Sequence, residues 1–208
     1  MAKGRVSKDE WTMAALRALA RGGVAAVAVD VLAKELGVTR GSFYWHFENR
    51  EALLVAALET WERHGTAEVI AAVKEVDDPL ARARTLFAEA LGDEEIAGLE
   101  PALAAQVDHP AVAAVVARVT RARLAFLEEV YTGLDFGPAA ARHRALAAYA
   151  AYLGWLDLRR TAPDLAPEAQ LRDPGSAAAL DHLVDMILAP GAPGAPGDPG
   201  TGTGAVRE

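Results

Sequence analysis

The sequence predicts an all-α protein: an N-terminal three-helix head of helix-turn-helix type, followed by a larger helical body. Three observations carry this. Apolar residues recur at helical spacing from end to end, and no strand-like alternation persists. Two short segments meet at a tight glycine turn, Gly37, which is what a helix-turn-helix requires. Beyond residue 75, alanine-rich segments are punctuated by prolines, and Pro79, Pro110, Pro138 and Pro174 each look like helix starts, proline being suited to the first turn.

Ser7 followed by Glu10 is a capping-box pattern, so a first helix starts there. Trp11, Ala15, Leu16 and Leu19 form its apolar face, and Gly22-Gly23 should end it. Val29, Leu32, Ala33 and Leu36 then fit the i, i+3, i+4, i+7 template of a short second helix closed by Gly37. Ala28, which precedes it, offers no side-chain cap, and Asp30 is placed to complement the helix dipole. Thr39 is expected to cap a third helix, in which Phe43 and Phe47 share one side. Asn49 should cap a fourth, running through Leu53, Leu54, Ala57, Leu58 and Trp61 toward Val73. The body then reads as helices near 79–91, 96–107, 110–132, 138–160 and 174–188, with Pro163 and Pro167 in the loop before the last. From Pro190 the tail repeats Pro and Gly, cannot bury a core, and is expected to be disordered. The division is therefore residues 1–50 as head, 51–189 as body and 190–208 as tail, with the helix from about residue 50 bridging the first two.

The net charge of −8 hides an asymmetry: residues 1–50 carry +3 and the remaining 158 carry −11. A mildly basic head on an acidic body leaves the positive potential where a phosphate backbone would need it. Absence of cysteine excludes disulfides, thiol nucleophiles and cysteine metal sites. His64, His109, His143 and His182 show no i, i+4 pair, so no metal site is expected. No serine–histidine–acid set or glycine-rich phosphate loop is visible, so no catalysis and no cofactor are expected. No run approaches the roughly 18 apolar residues of a membrane span. The N-terminus lacks the apolar stretch of a secretory signal, and a cytoplasmic address is the expectation.

Four of the thirteen aromatic residues, Phe43, Tyr44, Trp45 and Phe47, fall within five positions. Phe43 and Phe47 should point inward and anchor the third helix. Arg40, Gly41, Ser42, Tyr44 and Trp45 are left to face outward, where the second helix of such a motif presents its N-terminal residues to the major groove of DNA.

At these residues the sequence resembles the TetR (tetracycline-repressor-like) family. The resemblance rests on Leu32-Ala33-Lys34-Glu35-Leu36-Gly37-Val38, on Gly41-Ser42-Phe43-Tyr44-Trp45-His46-Phe47, and on Asn49-Arg50-Glu51-Ala52-Leu53-Leu54. It covers roughly residues 5 to 60. It implies a dimeric, ligand-responsive transcriptional regulator, most often a repressor, bound to a palindromic double-stranded operator. Carried over, it places Arg40 and Ser42 at base edges, an arginine fork suiting guanine O6 and N7. It places Trp45 against a thymine methyl or sugar, and Tyr44 and His46 at phosphates. Lys34 and Arg50 are implied phosphate contacts, and Thr39 touches DNA as well as capping its helix. At the start of helix two the family commonly has a hydroxyl residue, where this chain has Ala28 followed by Val29 and Asp30.

In the body, Phe87, Gln106, Phe126, Tyr131, Tyr152 and Trp155 are large or polar groups among small alanines, and are candidate linings of a small-molecule effector pocket. Leu146, Tyr149, Ala150 and Leu153 form one long apolar face near the C-terminus, and Leu180, Leu183, Val184 and Ile187 form another. The resemblance implies that these faces make a two-fold, four-helix interface of a homodimer. The alternatives are a DNA-binding dimer that senses no effector, and an all-helical enzyme or carrier.

Overall fold

The structure is a computed structural model; it describes residues 6–92, 99–162, 182 and 184–189, and the following statements concern those residues. They are all helical or in connecting turns, with no strand among them. The head consists of α1 (Lys8–Ala26), α2 (Val29–Leu36) and α3 (Arg40–Phe43). A continuous helical rod follows, made of α4 (Arg50–Glu62), a π-helical turn (Arg63–Glu68) and α5 (Val69–Lys74). The remaining helices are α6 (Pro79–Gly92), α7 (Leu99–Ala104), α8 (Pro110–Gly133) and α9 (Pro138–Thr161), with a further helical stretch at 184–188. Pro79, Pro110 and Pro138 each open a helix, as their fixed φ and missing N–H favour. Pro174 and the tail from Pro190 lie outside the described residues.

The capping box at Ser7 forms in both directions: Glu10 N–H donates to Ser7 Oγ at 3.2 Å and Ser7 N–H to Glu10 Oε2 at 2.7 Å. The first helix does not stop at its glycine pair. Gly22 (φ −155°, ψ 23°) and Gly23 (φ 64°, ψ −162°) bend it, and helical hydrogen bonding resumes to Ala26. Gly23 occupies a region essentially closed to residues with a Cβ, which lets the chain kink without terminating. Val24 N–H, displaced from its own helix by the kink, donates instead to Gln106 Oε1 at 3.3 Å.

Gly37 ends α2 in the left-handed conformation (φ 67°, ψ 35°), as the sequence leads one to expect. Ala28 gives α2 no side-chain cap. Thr39 gives none to α3 either, contrary to expectation. The helix is a single turn whose Ser42 N–H, the N3 donor a cap would take, goes instead to the Thr39 backbone carbonyl at 2.9 Å. Asn49 does cap α4, accepting from Ala52 N–H at 2.9 Å. Asn49→Ala should therefore cost about 1 kcal/mol, read as a lower urea midpoint at unchanged slope.

Two apolar cores form. The first gathers Trp11, Leu19, Leu32, Phe43, Leu53, Leu54, Leu58 and Trp61 with Leu99, Leu103, Val112 and Val119, so α7 and α8 complete the head's core. The second joins Val73, Phe87, Phe126, Val130, Tyr131, Ala145, Tyr149, Val184 and Leu188 from α5, α6, α8, α9 and the last helical stretch. The rod from Arg50 to Lys74 contributes to both, so any shift of one core is felt along it.

Candidate nucleic-acid interface and effector cavity

The short run Arg40–Phe47 splits into two sides. Phe43 is fully buried and Phe47 nearly so; their rings stack at 5.6 Å, and Trp11 meets Phe43 edge-on at 5.4 Å. Phe47 N–H reaches the Phe43 carbonyl at 3.0 Å, a helical i to i+4 bond that keeps the two rings aligned beyond the end of α3. Anchored by this pair, the segment turns Tyr44 (55 % exposed) and Trp45 (77 % exposed) outward, and Arg40, Gly41, Thr39 and Lys34 are exposed as well. Ser42 is half-buried.

Arg40 is already oriented. Its Nη2 donates to the Tyr44 hydroxyl at 3.3 Å and its Nη1 lies 3.5 Å from Asp30 Oδ2. The Tyr44 hydrogen bond first, and Asp30 second, push the guanidinium above its ordinary range, so it stays charged at any working pH. Asp30, expected to serve the dipole of α2, thus also steers Arg40 across the turn.

Two residues expected at phosphates have partners within the protein. His46 Nε2 pairs with the Val6 carbonyl at 2.8 Å, fixing the chain where it enters α1. Arg50, half-buried, donates from Nε to the Val27 carbonyl at 2.6 Å and from Nη2 to the Val24 carbonyl. Both carbonyls lie where α1 ends, so Arg50 ties the start of α4 to the α1–α2 corner. Arg50→Ala should cost about 1–3 kcal/mol by removing the guanidinium that donates to both carbonyls, seen as a lower thermal midpoint of the isolated protein.

The body holds a cavity of about 530 Å³ of empty space, its open mouth included. Gly65 and Thr66 of the π-helical turn, Val69 and Ile70 of α5, Leu86 and Phe87 of α6, Arg123, Phe126 and Leu127 of α8, and Tyr149 and Tyr152 of α9 line it. Of the six residues expected there, Phe87, Phe126 and Tyr152 are in place, and the other three are not. Gln106 sits at the kink of α1, its side chain 2.8 Å from where a Cβ on Gly23 would stand. Tyr131 is fully buried in the second core, donating its hydroxyl to the Ile187 carbonyl at 3.1 Å, and burial pushes that hydroxyl up to about 12. Trp155 packs against the second core outside the cavity.

The cavity's polar end is a network that sequence reading missed. Arg123 Nη1 meets Glu100 Oε2 at 2.5 Å, with side chains 12 % and 8 % exposed. Arg123 also donates from Nε to Thr66 Oγ1 at 3.0 Å and from Nη2 to the Gly65 carbonyl at 2.9 Å. Glu100 accepts from the Tyr149 hydroxyl at 3.1 Å and the Tyr152 hydroxyl at 2.9 Å. Burial alone would pull the Arg123 guanidinium down, but the opposite charge of Glu100 outweighs it and the net shift is upward. Burial, then Glu100's charge, pushes both tyrosines up, so each keeps the proton it donates. A readable signal existed: Arg123 lies in the buried stripe Val119, Phe126, Val130 of α8, where a lone charge demands a partner.

Tyr149 therefore belongs to the cavity and not to an outer face with Leu146 and Leu153. At helical spacing it falls on the side of Ala145 and Tyr152, facing Glu100, while Leu146 (59 % exposed) and Leu153 (38 % exposed) point away. Val184 is buried and Ile187 packs against the same second core, while Met186 is exposed. Leu180 and Leu183 lie outside the described residues. Among the described residues no helix is long and apolar enough to cross a membrane, and no acid–histidine cluster suits a metal ion.

Residues 12–57 match the family model described as bacterial regulatory proteins, tetR family. Over 83 residues the chain is 36 % identical to the HTH-type transcriptional regulator TtgR of Pseudomonas putida, covering 38 % of this chain and 39 % of that one. The curated relatives are matched over only 18 to 39 % of their own lengths. The likeness of fold extends much further. A transcriptional regulator from Rhodococcus sp. Rha1 superposes with a TM-score of 0.68 at 24 % identity, over 88 % of this chain and 96 % of that one. AibR, in complex with isovaleryl coenzyme A and operator DNA, gives 0.64 at 18 % identity, over 88 % and 98 %.

Proposed function

We infer that the chain is a regulator of the tetR family of bacterial regulatory proteins, whose model its residues 12–57 match. On that premise it is a DNA-binding transcriptional regulator, a repressor that leaves a palindromic operator when a small molecule enters its body. The observation that carries the reading is the open side of α3, where Arg40, Tyr44 and Trp45 stand outward on a segment locked from behind by Phe43 and Phe47. Arg40 and Ser42 read base edges, Trp45 packs on a thymine methyl or sugar, and Thr39, Tyr44 and Lys34 lie along the phosphates, while His46 and Arg50 brace the head from within. Gly41 lets the helix approach the duplex closely. No residue is assigned a catalytic role.

One such helix reads few bases, so a two-fold dimer is needed to read paired half-sites. Leu146 and Leu153, with exposed Leu158 on the same helix and exposed Met186 on the last helical stretch, supply apolar surface for it.

Coupling follows from shared elements. Helix α7 carries Glu100 to Arg123, Tyr149 and Tyr152 of the cavity wall while its Leu99 and Leu103 sit in the head's core, and Gln106 just beyond it holds Val24 at the kink of α1. Arg123 grips the rod at Gly65 and Thr66, and that rod begins at Arg50. A ligand that displaces this network shifts both supports of the head. It favours release only if it binds the released state more tightly, by the same free energy that weakens DNA binding. A regulator of the same fold is known in complex with both a coenzyme A thioester and operator DNA, which supports the reading.

Selection of duplexes from a random pool with the full chain tests the proposal. A palindrome should emerge, with log affinity falling linearly against log salt. Retention of DNA with no enriched sequence would make the protein a non-specific binder and sink the reading.

A further inference from the structure

We propose that the body cavity selects an uncharged, largely apolar ligand bearing a hydrogen-bond acceptor, and rejects both organic anions and organic cations of the same size. This rests on the reading of the cavity as the effector site.

The charges at its polar end are already matched. Arg123 and Glu100 face each other at 2.5 Å, and both are nearly buried. Tyr152 shares Oε2 of Glu100 with Arg123, and Tyr149 donates to Oε1, so each carboxylate oxygen already has a donor. An incoming cation therefore finds a carboxylate already neutralised by Arg123 and hydrogen-bonded by two hydroxyls. An incoming anion finds a guanidinium already neutralised. Either ion would bring an unmatched charge to a wall made of Val69, Ile70, Leu86, Phe87, Phe126 and Leu127.

What the polar end still offers is a donor. A guanidinium has five N–H groups; among the described residues Thr66, Glu100 and Gly65 take one each, at Nε, Nη1 and Nη2. No described residue takes the second N–H on either terminal nitrogen, and Arg123 lines the cavity, so a carbonyl, ether or phenol oxygen of the ligand is the acceptor we assign to them. The stacked pair Tyr149 and Tyr152, with ring centroids 6.0 Å apart, gives that end a flat aromatic side. The whole acidity of the body, which taken alone suggests a cationic effector, thus has no outlet inside the cavity.

Three naphthalene probes of similar size separate the charge types: 2-acetonaphthone (neutral), 2-naphthoate (anionic) and 2-naphthylmethylammonium (cationic). Equilibrium dialysis against the full chain at pH 7 should find the ketone bound more than about tenfold tighter than either ion. In Glu100→Gln, which keeps the shape and the acceptor oxygen but removes the countercharge, the order of ketone and naphthoate should invert. Naphthoate or the ammonium binding the native protein as tightly as the ketone would overturn the inference, while leaving the cavity a ligand site. An unchanged preference in a folded Glu100→Gln variant would overturn it equally. If that variant does not fold, the ranking on the native protein decides alone. Failure of all three probes to bind would overturn the effector-site reading itself and the inference with it.

Discussion

Arg123→Ala is expected to lower the stability of the folded protein by about 3–5 kcal/mol, the scale found when one partner of a buried ion pair is removed. The cause is not the lost attraction alone. Glu100, 8 % exposed, would keep its charge behind the cavity wall without a countercharge. The Thr66 hydroxyl and the Gly65 carbonyl would lose their donor at the π-helical turn, where the helix leaves its regular bonding pattern. Trp61 would lose the cation that lies 5.7 Å from its ring centroid, and with it one seam between the two cores. Joint replacement, Arg123→Met with Glu100→Leu, should recover part of the loss, because burying two apolar side chains removes the unmatched charge. It should not recover all, since the hydroxyls of Tyr149 and Tyr152 would then lack their acceptor. Urea unfolding of the native protein and the two variants measures this. Equal stability of Arg123→Ala and the native protein would mean that the pair is solvated and the cavity open.

Arg40→Ala combined with Tyr44→Ala should abolish sequence preference and reduce affinity for the selected operator by roughly a hundredfold or more, while leaving the thermal midpoint nearly unchanged. Both side chains are outward, and their mutual hydrogen bond at 3.3 Å orients the arginine fork before DNA arrives. Tyr44→Phe, which keeps the ring and removes only that bond, should give a smaller loss carried by specificity. Asp30→Asn should act through the same fork, since Asp30 holds its other nitrogen at 3.5 Å. A double variant that still prefers the operator would move recognition away from α3.

Much of this molecule was legible in its sequence, and the failures share a cause. Local signals translated directly: the Ser7–Glu10 box, the Gly37 turn, the Asn49 cap and the prolines of α6, α8 and α9 all act through neighbours a few residues away. The inward pair Phe43 and Phe47 was legible for the same reason, being one helical turn apart. Long-range partners were not. Nothing within reach of Gln106 in the sequence says that it will meet Val24, 82 positions away, nor that Glu100 and Tyr152 will share a bond across 52. Tyr149 misled because a tyrosine serves equally on an apolar face or as a buried donor, and a carboxylate on another helix decides between them. The end of α1 misled because two glycines usually stop a helix; here a partner outside the helix satisfies the N–H that the kink exposes.

The central claim is that the open side of α3 reads a DNA sequence. Fluorescence anisotropy of the full chain with two duplexes at about 150 mM salt tests it most directly, one carrying the selected palindrome and one its scrambled counterpart. The account predicts a preference for the palindrome of about a thousandfold or more. Equal affinity for the two duplexes at that salt would contradict it.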